Sequence, residues 1–548
     1  MKSRMRLSIV MALCAITLFS AYKASEDYFE ISKNLDIFAA VYKEVNVSYV
    51  DQVKPGQLIK EAIDAMLFSL DPYTNFYSEA QAEDYRFQVT GSYGGIGANV
   101  FSKNGKIVIN RTFEGFPAQL ADIRPGDVVL AVDGQSVEGK ESKDLTELLK
   151  GTAGTAVTIR VDRPGKGQMD FEIERAQIKV KNVPYYGKID DETGYIKLTG
   201  FTPNAGKEVR DAFVDLREQG IARVILDLRG NGGGLLHEAV NIVNVFVDRG
   251  ELVVETKGRD KEDNRSYQTL NTPVDTEMPL VVLVDGQSAS ASEIVSGTIQ
   301  DLDRGVVIGR KSFGKGLVQA TRTLTYNTQM KLTTAKYYIP SGRCIQKLDY
   351  SHKKDGKATV VADSLKHTYF TRNKRPVLDG EGITPDIRVE KPDLSKIAQS
   401  LLRNDLIFDF ATNFRNSTDS IPETKVFELN DGDLTRFKSF LDGKHYGYQT
   451  DTEKAIEQLK TKAKEEDYYE DLENMLGSLN TQFEEFKTND LQRHSAEIRE
   501  LLESEISYRY YFETALVESS FDDDPDISRA LELFNTPFRY NGILQGSL

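Results

Sequence analysis

The spacing of apolar residues along this chain of 548 residues changes from region to region, and each pattern predicts a different structure. From about residue 26 to residue 86, apolar residues recur at near-helical intervals, and a proline turn at residues 70–74 interrupts them. Between residues 181 and 390, short apolar runs alternate with helical patterns. Beyond Pro385 the sequence becomes polar, acid-rich and largely helical. These patterns predict a multidomain α/β protein with helical segments at both ends.

The central region, residues 181–390, has the pattern of a buried sheet. Its apolar runs are rich in Val, Ile and Leu, as strands covered on both faces require. An apolar helix is predicted at Leu235–Val247, directly after a glycine-rich turn. The predicted strands are Tyr195–Leu198, Val224–Leu228, Leu280–Val284, Val306–Ile308 and Lys331–Tyr337.

The polar tail, residues 391–548, contains a heptad-like apolar stripe. The spacing of its members favours a helical hairpin within the chain or a helix that binds a partner. The partner in the second case is another copy of the chain or an adaptor protein. The stripe consists of Leu472, Leu476, Leu479, Phe483 and Phe486.

The N-terminus has the pattern of a targeting element. Three basic residues within the first six precede an apolar stretch from Leu7 to Ala21. This stretch is short for a membrane span, which needs about 20 residues. Tyr22 also makes a poor cleavage site after Ala24, so residues 1–24 are either a signal peptide or an uncleaved anchor. In both cases the basic residues stay in the cytoplasm, and we expect a periplasmic protein, free or anchored to the inner membrane.

Composition excludes several classes of function. A net charge of −15 argues against nucleic-acid binding, which needs clustered Lys and Arg. Cys14 lies in the N-terminal apolar stretch and Cys344 is the second of two cysteines, so no structural disulfide is expected. The five histidines are scattered without metal-ligand spacing. We therefore expect neither a metal nor a cofactor.

A serine and a lysine 25 residues apart carry the most chemical information. Ser290 lies in the run Ser-Ala-Ser-Ala-Ser-Glu-Ile at residues 288–294, and Lys315 lies in Phe-Gly-Lys-Gly-Leu-Val-Gln at residues 313–319. A serine hydroxyl becomes a good nucleophile when a neighbouring base takes its proton, and a lysine can be that base only when it is neutral. The small residues around both positions would allow their backbones to approach closely. The pair predicts acyl transfer, most simply peptide hydrolysis.

Two glycine-rich segments predict anion-binding loops. Residues 229–234 (Arg-Gly-Asn-Gly-Gly-Gly) follow a predicted strand and precede the apolar helix, where backbone N–H groups can face an anion. In residues 93–98 (Tyr-Gly-Gly-Ile-Gly-Ala), successive glycines likewise free backbone N–H groups. Each segment is also compatible with an ordinary tight turn.

The serine and lysine motifs, with their spacing, resemble those of the C-terminal processing peptidases, tail-specific serine proteases with a Ser–Lys dyad. The likeness covers roughly residues 38–387. It implies that Ser290 is the nucleophile, that Lys315 is the general base and that Gln319 orients the lysine. The spacing supports the last role independently, because positions 315, 317 and 319 would share one face of a strand, and positions 315 and 319, four apart, would share one face of a helix.

The same resemblance implies an oxyanion hole and a peptide-binding module. The hole would use the N–H group of Gly232 or Gly233 together with that of Ala291. Residues 87–180 resemble a PDZ domain, both in the glycine loop and in the later run from Phe116 to Leu130. Asp122 departs from this pattern, because the family commonly has glycine there. The implied peptide-binding residues are Tyr93, Gly94, Gly95, Ile96 and Gly97.

The predicted fold is therefore a multidomain α/β protein with a crotonase/ClpP-like protease core. We expect a signal segment at 1–24, a helical region at 25–86, a PDZ domain at 87–180, the protease core at 181–390 and a helical extension at 391–548. The predicted function is that of an exported serine endopeptidase that recognises the free C-termini of proteins and peptides.

Three other functions remain open from sequence alone. A non-catalytic PDZ scaffold would also bind C-termini, but it would not need Ser290, Lys315 and Gln319 in register. A crotonase-like thioester enzyme would use a similar glycine loop, but it would not explain a peptide-binding module in an exported chain. A Ser–His–Asp hydrolase could use His237, although that residue lies on the predicted helix and has no evident acidic partner.

Overall fold

The computed structural model describes residues 28–79, 81–82, 90–354, 356–390 and 393–547. These residues form two compact units. The smaller comprises residues 28–79, 319–333 and 356–357, and the larger contains the other described residues. The predicted signal segment, residues 1–24, lies outside the described residues. Within the described ranges, no helix is both long enough and apolar enough to cross a membrane.

The smaller unit begins with two helices, at residues 28–48 and Pro55–Phe68. Proline suits the first position of a helix, because the N–H group it lacks would have no partner there. After the second helix the chain becomes extended, and Asn75–Tyr77 forms a strand. This strand pairs antiparallel with residues 329–331 of the strand Gln329–Tyr338. The helical prediction up to residue 86 is therefore wrong at residues 75–77, where the chain after the proline turn joins a sheet.

The predicted PDZ region forms a six-stranded sheet whose strands pair antiparallel. Its core contains Ile107, Ile109, Leu145 and Ile159, all almost completely buried. Two further strands, Ser92–Gly95 and Ala176–Lys179, pair with each other. The sheet consists of Ala98–Lys103, Lys106–Thr112, Val128–Val132, Gln135–Ser136, Ala156–Arg163 and Gly167–Glu174, and the helices are Pro117–Leu120 and Ser142–Leu149.

The backbone and side-chain bonds of Asp122 show how an aspartate fits where the PDZ pattern commonly has glycine. Its φ of 65° lies in the left-handed region, which glycine adopts readily and Asp tolerates. Its carboxylate accepts hydrogen bonds from Arg124 at 2.7 and 2.9 Å and from Arg163 at 3.1 Å. The turn that glycine commonly makes is thus made here by an Asp held by two arginines.

The central region contains a six-stranded, mostly parallel sheet. Its first pair is antiparallel and the remaining pairs are parallel. Four of the five predicted strands lie in it within one or two residues of their predicted bounds, which confirms them. The fifth, predicted at Lys331–Tyr337, lies instead in Gln329–Tyr338 of a second sheet. The strand order is Tyr185–Lys188, Thr193–Lys197, Arg223–Asp227, Leu280–Val284, Val306–Gly309 and Ile387–Arg388.

Two apolar layers cover the faces of this sheet. One face packs against the helices Ala205–Glu218, Leu236–Phe246 and Ala291–Asp301. The other packs against Pro525–Phe534 and Pro537–Leu544 at the end of the chain. The C-terminal segment thus completes the core of the sheet, which explains why its strands are apolar on both faces.

The remaining strands lie outside this six-stranded sheet. Leu252–Gly258 pairs with Arg265–Gln268 and, through residues 255–258, with residues 335–338. Thr368–Phe370 pairs with Pro376–Leu378. The other strands are Leu317–Thr323, Leu348–Lys354 and Lys357–Val360.

The C-terminal extension is helical, as predicted. The stripe residue Leu476 is buried, where the helix Tyr469–Thr488 contacts the preceding helix Asp451–Glu465. The stripe therefore contributes to a hairpin within the chain, whereas Leu479 and Phe486 stay exposed. Its use by a partner remains a prediction. The other helices here are Lys396–Arg403, Leu406–Ser417, Asp431–Leu441, Asp490–Arg493 and Ser495–Glu518.

The extension also contacts the PDZ region within the larger unit. Tyr508 donates a hydrogen bond to the carbonyl of Thr112 at 3.0 Å. Arg111 lies over the Tyr508 ring, 3.7 Å from its centre, and pairs with Glu505 at 3.0 Å. The C-terminal helices therefore contact both the central sheet and the PDZ region.

Candidate functional site

Ser290 lies at the start of the helix Ala291–Asp301, directly after the strand Leu280–Val284 and a short loop. Its backbone has φ 57° and ψ −111°, a conformation that costs a non-glycine residue on the order of 1–3 kcal/mol. Surrounding bonds hold it, since its N–H donates to Glu293 at 2.8 Å and its carbonyl accepts from the Tyr337 hydroxyl at 3.3 Å. Strain of this kind is typical of functional positions.

The neighbouring serines have structural partners. Ser288 donates its hydroxyl to the carbonyl of Leu228 at 2.9 Å, and Ser292 donates to the carbonyl of Asn231 at 2.8 Å. Both side chains are completely buried. The middle serine is therefore the better candidate for a nucleophile, as the resemblance implies.

Glu293 connects the serine and lysine segments. It is completely buried, and its Oε2 accepts the N–H groups of Ser290 at 2.8 Å and Lys315 at 2.9 Å. The two backbone nitrogens therefore lie no farther apart than the sum of these distances, 5.7 Å. Its Oε1 accepts the Ser312 hydroxyl at 2.5 Å and the N–H of Gly314 at 2.7 Å. Burial raises the pKa of Glu293, and the four donors act in the opposite direction.

Other backbone bonds also fix the lysine segment. Phe313 donates to the carbonyl of Ser288 at 3.0 Å, and Gly316 donates to the Gln346 side chain at 2.7 Å. The strand begins at Leu317, so Lys315 precedes it and the predicted shared strand face does not extend to Lys315. The structure thus brings the backbone of Lys315 to that of Ser290 through an irregular segment.

Gln319, the third predicted catalytic residue, belongs to the smaller unit. Its Nε2 donates a hydrogen bond to Thr333 Oγ1 at 3.1 Å. Its role towards Lys315 stays a prediction.

The glycine loop at residues 229–234 packs against the serine turn. Asn231 links them, because its carbonyl accepts the N–H of Ala289 at 3.1 Å as well as the Ser292 hydroxyl. A Cβ added to Gly233 would lie 2.9 Å from Ser290 Cβ and 2.6 Å from the Ala289 oxygen, so glycine is required there.

The two predicted oxyanion glycines differ in what they can donate. The N–H of Gly233 donates to the Asn231 side chain at 2.9 Å. In the described part of the chain, the N–H groups of Gly232 and Ala291 have no hydrogen-bond acceptor. The geometry therefore favours Gly232 with Ala291 as donors, and it gives Gly233 the task of close packing.

A charged network that no sequence motif indicates holds this loop. Arg229 donates to Asp227, the last residue of the strand Arg223–Asp227, at 2.7–3.1 Å. It also donates to Asp524 at 2.7 and 2.8 Å and to Asp526 at 2.8 Å, close to 300 residues later. Burial alone would raise the pKa of Asp227, but Arg229 and Lys197 hold it well below its ordinary range. The C-terminal extension therefore anchors the first residue of the glycine loop.

The predicted peptide-binding loop borders a groove of about 320 Å³ in the PDZ region. Ile96 and Gly97 carry N–H groups that find no acceptor among the described residues, as a carboxylate cradle requires. Gly94 and Gly95 lie in the strand Ser92–Gly95 instead, where a Cβ on Gly94 would lie 2.0 Å from the Gly151 oxygen. The groove is lined by Tyr93, Ile96, Ala98, Asn99, Phe113, Thr146, Leu149, Lys150 and Val180.

The histidine alternative gains nothing from the structure. The side chain of His237 is mostly exposed, and its Nε2 lies 3.6 Å from Glu238 Oε1. That carboxylate already accepts the N–H groups of Asn204 and Gly206, at 3.0 and 2.8 Å.

Comparison with known families agrees with this layout. Residues 192–351 match Peptidase family S41, residues 110–163 match the PDZ domain, and residues 397–534 match the C-terminal helical domain of a probable PDZ-protease. The first two matches fall on the central sheet and on the PDZ region.

Individual proteins give the same result. The chain is 34% identical over 365 residues to a carboxy-terminal-processing protease of Bartonella bacilliformis, covering 66% of this chain and 76% of that protein. It is 36% identical over 338 residues to a probable CtpA-like serine protease of Staphylococcus aureus, covering 61% and 66% respectively. Among solved structures, the photosystem II D1 C-terminal processing protease is 27% identical, covers 64% of this chain and 92% of that chain, and superimposes with a TM-score of 0.37. That superposition is loose, and the family assignment depends on the sequence relatives. With a serine turn, a lysine segment and a PDZ region in one chain, and with these relatives, the protein belongs to the carboxy-terminal-processing serine proteases of peptidase family S41.

Proposed function

We propose that the chain is an exported endopeptidase that captures the free C-termini of proteins in its PDZ groove and hydrolyses peptide bonds with Ser290 and Lys315. The observation that carries this proposal is the Glu293 carboxylate, one oxygen of which binds the backbone N–H groups of both residues. A structural carboxylate could satisfy its oxygens locally, whereas this one joins a strained serine to a lysine segment 22 residues beyond it.

In this mechanism, Lys315 Nζ is neutral and takes the proton from Ser290 Oγ as the oxygen attacks the scissile carbonyl carbon. The developing oxyanion accepts hydrogen bonds from the N–H groups of Gly232 and Ala291. Lys315 then gives its proton to the leaving amine, and an acyl-enzyme remains on Ser290. Water, deprotonated by the same lysine, hydrolyses the ester and restores the serine.

The remaining catalytic group is Gln319. Its role is to orient the lysine, as an amide can do because its oxygen accepts hydrogen bonds. In this proposal the parallel sheet with its glycine loop is a crotonase/ClpP-like core, in which N–H groups at the carboxyl ends of strands face the oxyanion.

The PDZ groove supplies substrate selection. The N–H groups of Ile96 and Gly97 bind the terminal carboxylate, and the apolar lining of the groove takes the last side chain. Binding of the tail raises the local concentration of scissile bonds at Ser290, so recognition and cleavage occur at different places in the substrate.

Export to the periplasm rests on the charged and apolar pattern of residues 1–24, which either is cleaved or anchors the protein to the inner membrane. The exposed Leu479 and Phe486 on the helical hairpin are the surface we propose for a second copy or an adaptor.

Digestion of an unfolded test protein, followed by mass spectrometry, tests the proposal. The intact enzyme should cut the free-acid form faster than the same protein with an amidated C-terminus. Ser290→Ala and Lys315→Ala should each abolish cutting, while Ser288→Ala should retain it if that variant folds. Equal rates on amidated and free-acid substrates would remove tail recognition, and a non-catalytic scaffold would cut neither.

A further inference from the structure

The turn at residues 70–74, which looks like a simple helix break in the sequence, leads by hydrogen bonds to Gln319. The Asp71 carboxylate accepts the N–H groups of Tyr73 and Thr74, both at 2.8 Å, through Oδ1. Its second oxygen, Oδ2, lies 3.1 Å from the Thr74 hydroxyl. Asp71 and Thr74 are almost completely buried, at 6% and 3% exposure.

From Thr74 the connection crosses to the strand Gln329–Tyr338. Thr74 Oγ1 lies 3.3 Å from Thr333 Oγ1 and accepts the backbone N–H of Thr333 at 3.2 Å. The Thr333 hydroxyl oxygen in turn accepts the side-chain N–H of Gln319 at 3.1 Å. All four residues belong to the smaller unit.

The carboxylate fixes the direction of this series of bonds. An ionised carboxylate can only accept, so the single hydroxyl hydrogen of Thr74 points to Asp71. The hydrogen between the two threonines must then come from Thr333, which leaves the Thr333 oxygen as an acceptor for an N–H group. The amide nitrogen of Gln319 therefore faces Thr333, and its amide oxygen faces away.

We propose that Asp71, Thr74 and Thr333 form a positioning chain that fixes the amide of Gln319 in one orientation, with its nitrogen towards Thr333 and its oxygen available as an acceptor. This inference rests on the proposed function, in which Gln319 orients Lys315. The orientation matters because an amide oxygen can accept from the lysine, whereas a flipped amide would present N–H donors that compete for the lysine lone pair. Asp71, Thr74 and Thr333 are positioning residues, since they act through Gln319.

Steady-state kinetics of the full-length enzyme on a short free-acid peptide test the positioning chain. Thr333→Val removes the hydroxyl but keeps the branched shape, and we expect kcat to fall about tenfold with KM unchanged, in line with the loss of one hydrogen bond in the transition state. Thr333→Ser keeps the hydroxyl and should keep kcat near that of the wild type. Thr334→Val is the matched control, because Thr334 is the next residue on the strand and its side chain bonds to no described residue.

Asp71→Asn gives a second, independent variant. Its amide oxygen can keep the bonds to Tyr73 and Thr74, while its NH2 group replaces the acceptor that faces the Thr74 hydroxyl. The turn should therefore remain, as checked by thermal unfolding, while kcat falls as in Thr333→Val. This variant also covers the case in which Thr333→Val does not fold.

A double-mutant cycle separates positioning from packing. If the positioning chain acts through Gln319, then Thr333→Val should cause no further loss of kcat in a Gln319→Ala background. An equal loss in both backgrounds, or a Thr333→Val enzyme as active as Thr334→Val, would overturn the inference. It would also be overturned, with the dyad intact, if Gln319→Ala were fully active while Ser290→Ala was inactive. Failure of the proposed function is different, because Ser290→Ala itself would then hydrolyse the peptide.

Discussion

Replacing Glu293 by Gln is the most informative single change at the site, because it keeps the shape of the side chain and removes its charge. The carboxylate accepts four hydrogen bonds in a completely buried position. A glutamine offers one acceptor oxygen and one NH2 group in place of two oxygens.

The structure shows which arrangement of the amide costs less. If the NH2 group takes the place of Oε2, it faces two donors, the N–H groups of Ser290 and Lys315. If it takes the place of Oε1, the Ser312 hydroxyl can accept from it by turning its own hydrogen away, and the Gly314 N–H is the one backbone donor that is opposed. In the second arrangement the donor that cannot reorient is the Gly314 N–H, and leaving it unsatisfied costs about 1–3 kcal/mol.

Two smaller effects oppose each other. The bonds that remain lose their ionic character, but the protein no longer buries a charge. We therefore expect Glu293→Gln to lower the free energy of unfolding by about 2 kcal/mol. Because Ser290 and Lys315 are positioned through this group, we expect kcat to fall about 100-fold, as displacements near 1 Å can cause.

Urea unfolding and peptide hydrolysis at neutral pH check both values on the same preparations. Glu218→Gln, at an exposed helix end, is the matched control. If Glu293→Gln were as stable and as active as Glu218→Gln, the carboxylate would not position the dyad.

Three further predictions concern the surroundings of the site. Gly233→Ala should abolish hydrolysis, because its Cβ would lie 2.9 Å from Ser290 Cβ, whereas Gly232→Ala meets nothing within 4 Å and should stay active in the same peptide assay. The double variant Asp524→Asn/Asp526→Asn should lower kcat about tenfold while KM stays unchanged, since it loosens the first residue of the glycine loop; an unchanged kcat would show that the C-terminal helices do not support the loop. Burial alone would raise the pKa of Glu381, but two lysines and a threonine lower it from 4.5 to about 2. Its folded pKa lies below its unfolded pKa, so its stabilisation is present above pH 4.5 and is lost as the pH falls towards 2; acid unfolding curves should show this loss in the wild type and not in Glu381→Gln.

The sequence predicted the central sheet well because its strands are covered on both faces. Leu280–Val284 is an unbroken apolar run, and it lies where the pattern predicts it. The serine turn could also be predicted, because the strand, the small residues and the helix that form it follow one another directly in the sequence. The strand Asn75–Tyr77 was missed because its pairing partner, residues 329–331, is far away in the sequence.

The residue pairs that hold the site in place could not be predicted, because their members are also far apart in the sequence. Arg229 and Asp524 are 295 residues apart, and Thr74 and Thr333 are 259 apart. No local spacing marks such pairs, and each residue alone looks like an ordinary polar surface position. The role of Glu293 does have a local signal in the sequence. It follows Ser290 by three residues at a helix start, a position where an acidic side chain commonly accepts backbone N–H groups.

The proposed function requires that Ser290 is a nucleophile and that Lys315 activates it, and covalent labelling tests both. The folded protein is treated with a fluorophosphonate probe, and the modified residue is located by mass spectrometry in wild type, Lys315→Ala and denatured protein. We expect an adduct on Ser290 in the folded wild type and none in the other two samples. An adduct on Ser288, Ser292 or another residue, or undiminished labelling of Ser290 in Lys315→Ala, would contradict it.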